Sequence, residues 1–498
     1  MAAKPADTTV ALGDIGTDEV RSRATSGAAL LGARGVLIYV LGIGCNLVLA
    51  HLLAPRDFGL VALGTVLLLS AYLVDGGLGA SLIRRAVEPS REELQAVLAL
   101  EVAVLGAVTA IVVAGGALVG RDGLVVATMV ASLPIVAFRA PTVIVLERRM
   151  RYRPIATADV AEAVAYYTWA VIAVALGAGV WGMATAVIVR AIIGTATVIA
   201  LGPGGLVLPR WSWRSVRPLI GFGAKFQATS AFAVLREQMI NVAVAAVAGL
   251  PTLGIWNLSW RVLQVPALLF NTVARVGFPA MSRLLSAGQD ARPYLERGVA
   301  SIAVMTGVMV VGLTGSSPAL PRLLGAAWGD VPAVILWSSV AIAISAPIVS
   351  GTMGYLFAAG AAGTVALATL VSGVVWCAVA IALLPTYGAP AVGLAWVATA
   401  IVNARMLWKR TAALTDIALG ARWFGTCAVS LAALAAAWLV GRQPHDGFAA
   451  GALGLVAGEV VLLAGLLAVN PAAIRDARAL VGEGLRTLRP RSKRQADD

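Results

Sequence analysis

Apolar runs long enough to cross a bilayer recur from residue 27 to residue 469, with only short gaps between them. A spanning helix needs roughly 20 mainly apolar residues, so the runs and their punctuation predict fourteen spans. They lie near 27–52, 58–75, 94–118, 123–146, 156–177, 180–201, 219–249, 252–279, 297–315, 331–358, 362–384, 388–408, 419–440 and 448–469. Tight hairpins at 178–179 and 385–387 separate two of the neighbouring pairs. The chain is 59% hydrophobic and 13% charged, more apolar surface than a soluble domain can hide. The expected fold class is an all-α polytopic membrane protein. The first 26 residues are polar, with no apolar core ahead of a small-residue cleavage site, so no signal peptide is expected and the first span stays attached.

A formal net charge of +13 would suit a nucleic-acid partner, but the placement of the charges argues for a membrane instead. Of 38 lysines and arginines, 27 fall in the tails, in the even-numbered gaps or at the span ends that border them, including Arg84, Arg85, Arg91, Arg148, Arg149, Arg151, Arg153, Arg405, Lys409, Arg410 and Arg422. The odd-numbered gaps hold Arg56, Arg121, Arg322 and Arg442. Cationic loops stay on the cytoplasmic side. Both termini are therefore expected in the cytoplasm, the number of spans is even, and no nucleic acid is involved. Arginine outnumbers lysine 34 to 4 and alanine is abundant, which points to a GC-rich bacterial genome and hence to a bacterial cytoplasmic membrane.

Cys45, Cys377 and Cys427 each lie inside a span without paired spacing, and His51 and His445 sit in or beside outer gaps away from acidic or cysteine clusters. No disulfide, metal, cofactor or catalytic histidine is expected. The glycine-rich "DGGLGASL" from Asp75 to Leu82 lacks the Gly-Lys-Ser/Thr ending of a phosphate loop and reads as a helix stop, so direct ATP use is not expected.

The organisation repeats. Six spans end at "LGPGGLVLPRWSWRSVRPL", and the seventh leaves the cytoplasm as the first does. "LLAPRDFGLVAL" follows the first span and "VAGLPTLGIWNL" the seventh, with Pro55 and Gly59 matched by Pro251 and Gly254 at an outer turn. Two halves in the same orientation imply a pseudo-twofold axis along the membrane normal, a transporter architecture. The expected division is a cytoplasmic tail (1–26), an N-terminal six-helix lobe (27–201), a linker (202–218), a C-terminal six-helix lobe (219–408), two additional helices (409–470) and a basic tail (471–498).

The stretch "LAHLLAPRDFGLVALGTVLLLSAYLVDGGLGASLIRR" resembles the opening of the polysaccharide transporter, or oligosaccharide flippase, branch of the multidrug/oligosaccharidyl-lipid/polysaccharide (MOP) exporter superfamily. "LGIWNLSWRVLQVPALLFNTVARVGFPAMSRL" is similar to that family's eighth helix, and "LPRLLGAAWGDVPAVI" to a later outer turn. The likeness covers most of residues 27–408. It implies two parallel six-helix bundles around a central cavity, lined chiefly by helices 1, 2, 7 and 8, with two peripheral helices and an outward traffic of lipid-linked saccharides.

Seven basic residues fall inside spans: Arg34, Arg139, Arg190, Lys225, Arg236, Arg261 and Arg275. A charge at mid-bilayer costs roughly 2.5–3.5 kcal/mol and almost always faces a bundle interior or a water-filled cavity. Lys225 and Arg236 are about 20° apart around a helix, with Thr229 and Phe232 between them. Asn257, Arg261, Gln264, Leu268, Asn271 and Arg275 succeed one another at helical spacing and form one polar face, which Pro266 can kink. Arg34 adds a cation low on the first span, with Asn46 higher. The candidate substrate-binding set is thus Arg34, Lys225, Arg236, Arg261, Arg275, Asn257, Gln264 and Asn271, a cationic cavity suited to the pyrophosphate of a polyprenyl-linked sugar. Snorkelling to an end of the span or pairing within a bundle stays open as the alternative for each of these cations, snorkelling above all for Arg275 and Lys225.

Arg139 and Arg190 read instead as pairing residues, with Glu101, Asp159 and Glu162 as acidic partners. Asp75 and Glu237 are candidates for ion coupling or pairing. In the tail, Ile474, Val481, Leu485 and Leu488 oppose Arg475, Arg478, Arg486 and Arg489, as a helix lying on an anionic leaflet would; a disordered basic tail is the alternative. The function expected is a flippase, not an enzyme. Its partners would be a lipid-linked oligosaccharide, membrane lipids and polysaccharide assembly proteins. A small-molecule exporter of the same superfamily is the alternative, and a membrane glycosyltransferase or polymerase ranks below it because the outer gaps are short.

Overall fold

The computed structural model describes the backbone of residues 17–85, 87–415, 421–443 and 447–478. Side chains are described throughout these except at 17–29, 31, 70–76, 84, 222, 224–226, 228–237, 267–280, 421–422 and 447. Most of the expected N-terminal tail and the greater part of the basic tail lie outside the described residues. Among the described residues the secondary structure is helical throughout: α1 (Thr17–Leu52), α2 (Pro55–Arg84), α3 (Arg91–Val119), α4 (Arg121–Val130), α5 (Leu133–Ala137), α6 (Ala140–Arg148), α7 (Tyr152–Ala173), α8 (Val180–Leu201), α9 (Trp213–Ser286) and α10 (Arg292–Ser316). The series continues with α11 (Leu320–Leu324), α12 (Val331–Ala358), α13 (Ala362–Tyr387), α14 (Pro390–Thr415), α15 (Ala421–Gly441) and α16 (Gly447–Val469).

Eleven helices among the described residues are long and apolar enough to cross a membrane, or twelve if Arg121–Ala137 and Ala140–Arg148, bent by 52°, form one span. The expected runs near 58–75, 219–249 and 252–279 fall partly on side chains outside the description. Fourteen remains the expected count.

The breaks follow from local chemistry. Pro134 and Pro141 sit in the first turns of α5 and α6, where a missing N–H costs nothing at a helix start but interrupts the ladder of the preceding helix. The result is the bent traverse of α4 to α6. Ser90 caps α3 by accepting from the Glu93 N–H at 3.2 Å, while the Glu93 carboxylate accepts from the Ser90 N–H at 2.9 Å, the reciprocal pairing that Ser-x-x-Glu encodes. Gly177 and Gly179 take φ of 90° and 56° at the hairpin between α7 and α8, and Gly388, at 59°, turns the chain between α13 and α14. The hairpin expected at 178–179 is formed there, whereas α13 continues through Pro385 to Tyr387 and the turn expected at 385–387 falls at Gly388 and Ala389. Within α9 the single non-helical residue is Gly249, at φ 79° and ψ 176°, where the seventh and eighth expected spans meet.

The chain divides into two compact units, residues 1–242 and 243–498. This boundary falls within α9, whereas the expected six-helix lobes meet at 202–218; the former reflects compactness and the latter internal likeness, and the lobes stand as a proposal.

In the first unit, Leu78, Leu82, Leu94, Val97, Ile144 and Leu219 pack α2, α3, α6 and the start of α9 together. Gly77 meets the Gly223 backbone so closely that neither position has room for a side chain. In lipid there is no hydrophobic force between helices, so van der Waals contact through small residues does this work. Arg148, 7% exposed, donates from Nη1 to the carbonyl oxygens of Leu82, Ile83 and Arg85 at 3.1, 3.2 and 2.5 Å. It satisfies the carbonyls that the end of α2 leaves without helical partners.

In the second unit, Leu295, Ile348, Tyr355, Leu356, Val365, Ala368, Ala404 and Leu407 join α10, α12, α13 and α14. Gly315, Gly454 and Gly458 let α10, α15 and α16 approach backbone to backbone.

Candidate functional site

Five charged side chains meet inside the membrane-spanning part of the first unit. Asp159 and Glu162 are three residues apart on α7 and so share a face. Arg34 of α1 forms an ion pair with Asp159 through Nη1. Glu162 accepts from two guanidinium groups: Arg139 Nη1 at 3.1 Å, and Arg190 through Nη2 at 2.6 Å and Nε at 3.1 Å. Arg139 comes from the bend between α5 and α6, and Arg190 from α8. Both Arg190 nitrogens converge on Glu162 Oε1, while Arg139 takes Oε2, so each carboxylate oxygen has its own guanidinium.

The two pairs differ in access. Glu162 is 7% exposed, whereas Arg34 and Asp159 are 32% and 22% exposed. Gly194 on α8 makes the space for Glu162, since a Cβ there would collide with its carboxylate. Above the Arg34–Asp159 pair, the Tyr167 hydroxyl would lie 2.7 Å from a Cβ at Gly42, and Asn46 donates to the Gly42 carbonyl at 2.6 Å and to the Tyr167 hydroxyl at 3.4 Å. From 34 to 42 and from 159 to 167 the two helices advance together, so α1 and α7 run parallel, as a first and a fifth span must.

Of the sequence-predicted pairing residues, Glu162 takes both Arg139 and Arg190. Asp159 instead takes Arg34, which the sequence reading assigned to the substrate. Glu101 is buried on α3. The Arg34–Asp159 pairing had no signature in the sequence beyond opposite charge.

In the second unit, Asn257, Arg261 and Gln264 lie half-buried on α9 beyond Gly249, at the spacing that gives them a common face. Beside that face stand Trp256 and Trp260, one turn apart. Trp256 packs edge-on to Trp376 of α13 with ring centres 5.8 Å apart, Trp260 lies 5.5 Å from Trp396 of α14, and Trp376 and Trp396 are 5.8 Å apart. The Trp376 indole N–H donates to the Val392 carbonyl at 3.2 Å. Four tryptophans from three helices close this ring, which sequence reading missed because no helix carries more than two of them. The remaining candidates, Lys225, Arg236, Asn271, Arg275, Asp75 and Glu237, have side chains outside the described set; the first four and Glu237 lie on α9 and Asp75 on α2.

Among proteins of known kind, the family model described as "Polysaccharide biosynthesis protein" matches residues 48–333. The lipopolysaccharide biosynthesis protein WzxC of Escherichia coli (strain K12) is 26% identical over 339 residues, which are 64% of this chain and 66% of WzxC. The match thus spans just under two thirds of that relative's length. The fold is similar to the lipid II flippase MurJ in an inward closed conformation, with a TM-score of 0.68 at 13% identity over 88% of this chain and 98% of that one. A multidrug resistance MATE transporter of the MOP superfamily, inward-facing, gives 0.53 at 15% identity over 76% and 96% of the two chains. With more than half of its length matched by that family model, the chain belongs to the polysaccharide biosynthesis protein family.

Proposed function

We propose that the protein is a flippase that carries a polyprenyl-pyrophosphate-linked oligosaccharide from the inner to the outer leaflet of the bacterial cytoplasmic membrane, for assembly of a cell-surface polysaccharide. The observation that carries this reading is the local charge of one ion-paired cluster within the spanning helices. Three guanidinium groups meet two carboxylates in the first unit, and Arg261 adds a cation to the polar face of α9. A site with surplus positive charge in a low-dielectric setting favours an anion.

In this reading Arg34, Lys225, Arg236, Arg261 and Arg275 receive the pyrophosphate, and Asn257, Gln264 and Asn271 hydrogen-bond oxygens of the headgroup. The lipid tail stays in the bilayer. Alternating access presents the same cations first to the inner and then to the outer leaflet, with both termini cytoplasmic. The alternative, a small-molecule exporter, shares the fold of the multidrug transporter, but an excess of guanidinium groups disfavours cationic drugs.

Export of saccharide is the test. Arg236→Ala and Arg261→Ala, singly and together, should abolish export while protein stays in the membrane, and Arg261→Lys should rescue only partly, since it keeps the charge and loses the fork. Normal export by the double variant at matched abundance would overturn the assignment of these residues. Native mass spectrometry of gently purified protein should show a co-purifying polyprenyl-pyrophosphate saccharide.

A further inference from the structure

We infer that Asp159 is a resident counter-ion that occupies Arg34 until the anionic headgroup displaces it, and that reclaims Arg34 when the headgroup leaves. This deepens the reading above and rests on it, because the displacing group is taken to be a pyrophosphate. The two acidic residues of α7 divide the labour. Glu162 is nearly enclosed and held by two arginines through three hydrogen bonds. It is a fixture: withdrawing it would break three hydrogen bonds to two guanidinium groups at once.

Among the described residues Asp159 has one ion-pair partner, reached through one nitrogen, and both members of that pair are more open than Glu162. A half-open ion pair at membrane depth faces a polar recess rather than hydrocarbon. Among the described residues, Arg34 Nε is buried and has no hydrogen-bond partner, which is uncommon for a buried donor. Arg34 therefore holds binding capacity that a single-point contact with Asp159 leaves unused. Once Arg34 leaves Asp159 and its guanidinium turns toward the open side, a phosphate oxygen pair can take Nε and a terminal nitrogen together, the bidentate form that a guanidinium prefers.

The charge count agrees. With three arginines against two carboxylates among the described residues, the cluster is one negative charge short of neutral when empty. An entering anion supplies that charge and competes for Arg34. Asp159 remains nearby as a competitor, which lowers the affinity of the loaded site and speeds its emptying. Asp159 is thus a positioning residue for Arg34 that sets how tightly the headgroup is held.

The test measures binding of polyprenyl pyrophosphate, and of the uncharged polyprenol as control, to the full-length protein in lipid nanodiscs. Asp159→Asn should bind the pyrophosphate lipid about tenfold more tightly than wild type and export saccharide more slowly. The tightening should vanish in the Arg34→Ala background, which a double-mutant cycle reads directly. Asp159→Ser is carried in parallel, so that a folding defect of one replacement does not decide the matter. Unchanged affinity in either folded variant, equal tightening without Arg34, or failure of both variants to fold would overturn the proposal and mark the pair as structural. If wild-type protein binds the pyrophosphate lipid no better than polyprenol, the flippase reading itself fails, and the counter-ion proposal with it.

Discussion

Gly194 on α8 lies against the carboxylate of Glu162 on α7, with no room between them for a methyl group. The absence of a side chain at one position is what allows a doubly paired acid at the other. Gly194→Ala should push Glu162 off Arg139 and Arg190, and a buried ion pair broken on one side costs on the order of 3 kcal/mol. The expected outcome is a clear drop in the thermal unfolding midpoint of purified protein, with Gly32→Ala, in open space on α1, as the neutral control.

Gly77 and Gly223 bring the backbones of α2 and α9 together. An alanine at Gly77 would meet the Gly223 carbonyl, which cannot move away as a side-chain tip can. Gly77→Ala should therefore weaken the packing of these helices, and Gly77→Leu more so, with export falling in that order at matched membrane abundance. Full export by the leucine variant would show that the contact is dispensable.

The arginine excess of alternate gaps predicts which loops face the cytoplasm. Single cysteines introduced as Glu88→Cys, Arg151→Cys and Ala287→Cys into a protein lacking its three natural cysteines should react with a membrane-impermeant maleimide only after the cells are opened. Reaction in intact cells would reverse the topology.

The tryptophan ring of the second unit depends on one polar contact, from the Trp376 indole to the Val392 carbonyl. Trp376→Phe keeps the aromatic packing and leaves that donor out, so a loss of about 1 kcal/mol is expected. Trp376→Ala also removes ring contacts with Trp256 and Trp396 and should cost about 3 kcal/mol or more. The two unfolding midpoints, compared in one detergent, measure the split.

The fold was legible where the chain announces itself by composition or by special backbone residues. The apolar runs, the hairpin at Gly177 and Gly179 and the end of the seventh run at Gly249 were legible, because glycine alone takes a positive φ without strain, whereas the glycine-rich run from Asp75 to Leu82, read as a helix stop, continues α2 to Arg84. That Arg139 and Arg190 pair with a nearby acid was legible too, because a membrane arginine needs one and few were at hand, though not that Glu162 takes both. The partner of Arg34 was not. Residues 34 and 159 are joined by helix packing alone, and opposite charge does not say which acid meets which cation. Arg148 was read as one of several cytoplasmic cations, whereas its three carbonyl contacts make it the cap of α2, a role that depends on where a distant helix happens to end.

The matched advance of α1 and α7, eight residues from Arg34 to Gly42 and eight from Asp159 to Tyr167, makes the interval between the two contacts a ruler shared by both helices. Inserting or deleting one residue in either interval would rotate one contact by about 100° and shift it by about 1.5 Å relative to the other. Point changes along these stretches, Glu162 apart, are open to drift, but changes of length are not, unless both helices change at once. Natural variants of this chain should therefore keep Glu162, differ more freely in the other letters between these positions and agree in their number.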